Sequence, residues 1–415
     1  MGGGGFRRRW AGIPLLTLVG CGSRAASESG PASCWQEAAA PPSAGMALPW
    51  SILGEPGLTP DGRRVPLLAP LPSGSGVVAL RISDPVGAPA CVQLDSVVDP
   101  DGGAWITSIP GDLGPTCLSC PQRVAVGTGY GLFVLPSNDQ APDFPAWLMV
   151  VAGVRDCSTL LPAVADLPPR LRIEGLFAPP VEPTRAGIIS LGLAFLSDSP
   201  LADEAIRAAV LPETLRLVNE LLAPGALQVT VARTRSVAHL TGSVALTRGD
   251  YGPLDALYGQ VLGRGSCRPP VEQDDEQGNE ESGWIPVVFS GCIQIADSLQ
   301  QTTSEPNGMT PGIPSGFPPA GRADGIYLKG RSCRPGSAPI NWPPSLLARL
   351  LAHELGHYLG LFHSVEADGT VDQLADTDAN NLMYYDPLTL SAPAFSASQF
   401  RVMRRHPAIR WSLSD

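Results

Sequence analysis

The segment HELGHYLGLFH, residues 353 to 363, constrains this chain more than any other, because it gathers three of only five histidines. Pro343, Pro344 and Ser345 open a leucine-rich stretch and Gly360 closes it, the punctuation of a helix of about fifteen residues. At about 100° per residue, Leu346, Leu350, His353 and His357 share one face, and Leu347, Leu351, Leu355 and Tyr358 fill the adjoining arc. Only Ser345, Arg349, Ala352 and Gly356 form a small or polar strip, so the helix is expected to be largely buried. His353 and His357, one turn apart, can present two imidazoles to one cation, and Glu354 beside them can reach a water on that cation. Gly360 can take the positive φ that ends a helix and returns the chain. His363 then comes back as a third ligand, with a fourth position left open.

These residues match in full the HExxHxxGxxH zinc motif of the metzincins, which the chain resembles over residues 185 to 410 by layout. The resemblance implies one catalytic Zn2+ held by His353, His357 and His363, with Glu354 as general base and peptide bonds of proteins or peptides as substrate. It also implies a methionine-bearing turn under the ligands, supplied by Met383 within DTDANNLMYYD, residues 376 to 386. Tyr385 stands where some members carry a tyrosine that approaches the metal or the transition state. The short separation of His363 and Met383 favours the pappalysin-like branch, whereas Ser364 is similar to the matrixins, so the branch stays open. The family binds substrate as an extended strand along a sheet edge, for which DGIYLKG (324–330) and WIPVVFSGC (284–292) are the candidates.

The expected fold class is α+β: a β-sandwich-like domain followed by a metzincin-type catalytic domain with a twisted mixed sheet, an active-site helix and a Met-turn. Residues 1–21 read as an export signal, since Arg7, Arg8 and Arg9 precede an apolar run from Trp10 to Val19 that is too short to span a bilayer. Leu18, Val19, Gly20 and Cys21 are similar to a bacterial lipobox. That implies lipidation of Cys21 and membrane attachment through this anchor at the cell envelope, with plain secretion as the alternative. Residues 22–75 read as a Pro/Ala/Ser-rich tether. Residues 76–166 carry short alternating runs (VVALRI, CVQLDSVV, AWITSI, RVAVGTGYGLFVL, WLMVVAG) and read as the β domain. Residues 167–415 form the catalytic domain, opening with a strand at GIISLGLAFLS, a helix over 202–223 interrupted by Pro212, and a second strand at ALQVTVART.

A net charge of −11 with Lys329 as the sole lysine argues against a nucleic-acid partner. Apart from Cys21, eight cysteines in an exported chain imply up to four disulfides of open connectivity. The acidic run from Glu272 to Glu281 reads as a solvated loop, and Asp372, Asp376 and Asp378 as turn formers, with Ca2+ a weakly supported second reading of each. His239 and His406, outside the motif, are expected at the surface. The competing function is a non-catalytic surface lipoprotein that binds glycan or protein through its β domain. The intact set of three histidines and Glu354 argues against it.

Overall fold

The computed structural model describes residues 36–37, 50–57, 64–83, 91–107, 127–128, 130–135, 144–155, 170–179, 182, 184–237, 239–247, 252–262, 283–297, 302–316, 324–372 and 374–412. The lipobox with Cys21, the acidic run, and Cys34, Cys117, Cys120, Cys157 and Cys267 lie outside them.

Alternating apolar residues fold the first module into two facing antiparallel sheets. One sheet is ordered β2 (Ser51–Gly54), β10 (Arg172–Ala178), β4 (Val77–Ser83), β8 (Tyr130–Leu135). The other is ordered β3 (Arg64–Pro70), β9 (Trp147–Arg155), β5 (Cys91–Val98), β6 (Ala104–Thr107), with β7 (Gly127–Thr128) also on β5. Val78, Leu80 and Ile82 of β4 join Val92 and Leu94 of β5 and Leu148, Val150 and Ala152 of β9 in one buried core. β2 and β3 come from the stretch read as a tether, and β10 from beyond residue 166. Two prolines disguise β3 in the sequence; they are tolerated because β3 is an edge strand.

The second module is built on a seven-stranded sheet ordered β1 (Gln36–Glu37), β12 (Leu227–Val237), β11 (Gly187–Leu196), β14 (Ile285–Ser290), β18 (Ile326–Lys329), β17 (Gly308–Met309), with β19 (Ile409–Trp411) antiparallel on β11. The four central strands run parallel, and β1 and β17 are antiparallel edges. Every residue of β11 is buried, as a parallel strand covered on both faces requires. On one face Ile189, Leu191, Leu193 and Phe195 share a core with α1 (Glu204–Leu222) and α3 (Pro344–Tyr358). On the other, Ala194 and Leu196 meet Leu254, Leu257, Tyr258 and Val261 of α2 (Gly252–Leu262). A small sheet of β13 (Val244–Thr247), β15 (Ile293–Asp297) and β16 (Thr302–Ser304) accompanies it, and α4 (Ala397–Met403) follows near the end. The architecture is thus mixed α+β. α1 runs through Pro212 rather than breaking there: Pro212 sits on the exposed side, where the missing N–H leaves a carbonyl open to water.

A disulfide joins Cys292, just after β14, to Cys333, just after β18 and in the segment that leads to α3. It closes a loop of 41 residues. Removing it as Cys292→Ser/Cys333→Ser should lower stability by up to about 4 kcal/mol through the entropy restored to the unfolded chain. Denaturant titration of oxidised wild type beside the double variant checks this; equal midpoints and slopes would contradict it.

Candidate metal centre

α3 opens with Pro344 at its first position and ends at Tyr358, after which Gly360 adopts φ +105° and turns the chain back. His353 and His357 are buried within the helix, and His363 returns after the turn with a quarter of its side chain exposed. Nε2 of His357 lies 3.1 Å from Nε2 of His353 and 3.2 Å from Nε2 of His363. The other ring nitrogens face acceptors. Nδ1 of His353 lies 2.8 Å from the Leu382 carbonyl oxygen, Nδ1 of His357 2.7 Å from that of Leu361, and Nδ1 of His363 2.7 Å from Oε2 of Glu366. A carbonyl or carboxylate only accepts, so each Nδ1 carries a proton, and in the neutral ring that leaves the lone pair on Nε2. Three lone pairs converging at this range repel one another unless a cation stands between them. The group therefore fits a metal ion, and three neutral imidazoles are a donor set that zinc accepts.

Burial pushes His353 down to about 3, with neighbouring His363 adding to the effect, and it holds His357 well below its ordinary range. Both imidazoles thus stay neutral and available as ligands. Burial also pushes Glu354 up to about 8, a hydrogen bond from Thr310 opposing it. Oγ1 of Thr310 lies 2.8 Å from Oε2 of Glu354 and 3.0 Å from the Glu354 carbonyl oxygen. The edge strand β17 passes so close that a Cβ on Gly308 would lie 2.5 Å from Oε1 of Glu354, so any larger residue there would displace the Glu354 side chain.

Met383 is fully buried beneath α3, where a Cβ on Gly356 would meet its Sδ at 2.5 Å. The small strip expected at Ala352 and Gly356 is thus buried, as the surface against which the Met383 turn closes. Tyr385 is 42% exposed, and its ring lies 4.6 Å from that of Tyr384. Among the described residues no hydrogen bond links Tyr385 to the histidines or Glu354. DGIYLKG and WIPVVFSGC become β18 and β14, both interior to the sheet, and the edge beside Glu354 is β17 instead. A two-residue strand has no periodicity to read, and Thr310, Gly308 and Glu366 carry no signal of their own. Asp372 and Asp378 serve turns, Asp372 Oδ1 accepting from Leu374 N and Thr377 Oγ1 and Asp378 Oδ1 from Asn380 N, whereas Asp376 Oδ2 accepts from Ser398 N and so ties the segment to the first turn of α4. A cavity of about 310 Å3 lined by Leu201, Val210, Phe289, Leu328, Trp342 and Leu347 opens at the carboxyl ends of the parallel strands and contains none of the histidines.

His239 is exposed as expected, but His406 is buried, because it fills the space under the end of α3. Its ring packs edge-on to Tyr358 with centroids 5.6 Å apart, Nε2 donates to the Ser315 carbonyl at 3.1 Å, and Nδ1 accepts from Ala408 N. Burial pushes it down to about 3 from an ordinary 6.5. The unfolded chain therefore binds a proton here between those values that the folded chain does not, and stability falls as pH drops from 6.5 toward 3. In metal-free protein, His406→Gln should flatten the loss of stability over that window, measured by denaturant midpoints at pH 7 and pH 4.5; an unchanged slope would contradict the assignment.

No family model matches the chain, and no curated protein matches it in sequence. Among solved structures, metalloproteinase-II from Bacteroides fragilis aligns at 14% identity with a TM-score of 0.30, covering 59% of this chain and 65% of that one. A likeness this distant carries no argument, so the centre stands on its own geometry: three histidines that can hold a metal ion beside a buried carboxylate.

Proposed function

We propose that this chain is a zinc-dependent endopeptidase of the metzincin type. The observation that carries the reading is the convergence of three Nε2 lone pairs, each fixed by a partner on Nδ1, next to the buried carboxylate of Glu354. His353, His357 and His363 would hold the metal. Zinc, when bound, supplies a Lewis acid that polarises a peptide carbonyl and brings the pKa of water toward about 7.

Glu354 accepts the proton of the attacking water and passes it to the departing amine. Thr310 steadies one oxygen of that carboxylate. β17 pairs with β18 on one side only among the described residues, so its other edge can take a peptide as an added strand beside Glu354. Backbone bonds then supply affinity without regard to side chains, which suits a protein substrate. Export and lipid attachment at Cys21 complete the proposal, on the strength of the Arg7–Arg9 and Leu18–Cys21 pattern. No described helix is long and apolar enough to cross a membrane.

Hydrolysis of a quenched-fluorescent protein mixture, with metal content measured on the same samples, tests the reading. Glu354→Gln should keep its zinc and lose about 10²–10⁴ in kcat/KM. A zinc-loaded variant as active as wild type would remove Glu354 from the mechanism.

A further inference from the structure

The turn that carries Met383 also carries the carbonyl of Leu382, on which the orientation of His353 depends. The turn is anchored by a buried pair of amides. Asn381, 6% exposed, and Gln399, fully buried, exchange two hydrogen bonds: Asn381 Nδ2 donates to Gln399 Oε1 at 2.9 Å, and Gln399 Nε2 donates to Asn381 Oδ1 at 2.8 Å. Asn381 Oδ1 also accepts from Met383 N at 2.8 Å, and Gln399 Oε1 accepts from Ser396 N at 2.9 Å. These two backbone donors settle which way each amide points, since an oxygen must face each N–H. A line of fixed polarity thus runs from the cap of α4 to the turn under α3.

Gln399 is the third residue of α4 and completes a capping box with Ser396. A glutamate would cap as well. What glutamate lacks is the N–H that Asn381 Oδ1 receives, so the presence of glutamine is explained by Asn381 and not by the helix cap alone. Leu382 N adds a further tie to the same region, donating to the Ala394 carbonyl at 2.9 Å.

We propose that Asn381 and Gln399 are positioning residues for the metal centre: together they hold the Leu382 carbonyl where it keeps the His353 proton on Nδ1 and the lone pair on Nε2. The inference deepens the metal reading above and rests on it. Docking of α4 then sets how ready the ligand cluster is before any metal arrives.

The test reads the His353 tautomer directly, by long-range ¹H–¹⁵N correlation in metal-free, ¹⁵N-histidine-labelled full chain, and then measures affinity for Zn2+ and the absorption spectrum with Co2+. Wild type shows a single Nδ1–H tautomer. Gln399→Glu keeps the helix cap but turns Asn381 away from Met383 N; His353 should then populate both tautomers, with zinc affinity about 10- to 100-fold weaker and altered Co2+ bands. Asn381→Leu/Gln399→Leu also strips the Met383 and Ser396 N–H groups of their acceptors, so it should lower Tm and perturb the tautomer and affinity. The disulfide-free Cys292→Ser/Cys333→Ser control, destabilised elsewhere, should keep the wild-type tautomer and affinity, a contrast that loss of stability alone would not produce. If both variants retain the single tautomer and wild-type affinity while only Tm changes, the inference is overturned. A wild type that shows the tautomer but binds no zinc overturns the function proposed above and the role in metal binding, while leaving the positional effect on His353 measured.

Discussion

Three hydrogen bonds donated by the Nδ1 atoms of His353, His357 and His363 govern the centre, because in the neutral rings they turn the Nε2 lone pairs toward its middle. Two of the acceptors are local, the Leu361 carbonyl just past α3 for His357 and the Glu366 carboxylate for His363, whereas the Leu382 carbonyl for His353 comes from the Met383 turn. That third partner is in place only if the chain has closed around α3. The cluster is therefore a product of the completed fold, although its ligands lie within eleven residues of one another.

The sheet supplies the rigidity this requires. β11, β14 and β18 present buried apolar residues to α1 and α3, so α3 cannot slide without opening the core. β17 presses glycine against Glu354 from above, and Met383 with Phe395 closes from the side of Gly356. Glu354 is thereby left in surroundings dry enough to raise its pKa, yet next to a strand edge where a peptide can lie. The acid–base role proposed for Glu354 calls for both conditions at once.

The centre was more legible in the sequence than the frame that holds it. Helix punctuation and histidine spacing located α3, and the positive φ at Gly360 follows from the need to bring His363 back. Met383, singled out by its distance from that motif, lies buried against Gly356. Thr310, Gly308 and Gln399 were not legible, because a contact made across the fold leaves no periodic trace, and Glu366, three residues after His363, looks like any loop acid until the chain is folded. β3 was hidden by prolines that an edge tolerates, β17 by its two-residue length, and the continuity of α1 by a proline facing water. His406 was misplaced at the surface because a histidine satisfied by a carbonyl and an amide in the core looks, in one dimension, like any polar residue.

The most direct test of the central claim is X-ray absorption at the zinc edge on the purified, zinc-loaded chain, with metal content measured on the same sample. The account predicts about one zinc per chain, bound by three imidazole nitrogens at about 2.0–2.1 Å and by light-atom ligands alone. A folded chain that takes up no zinc, or a zinc shell containing sulfur, would contradict it.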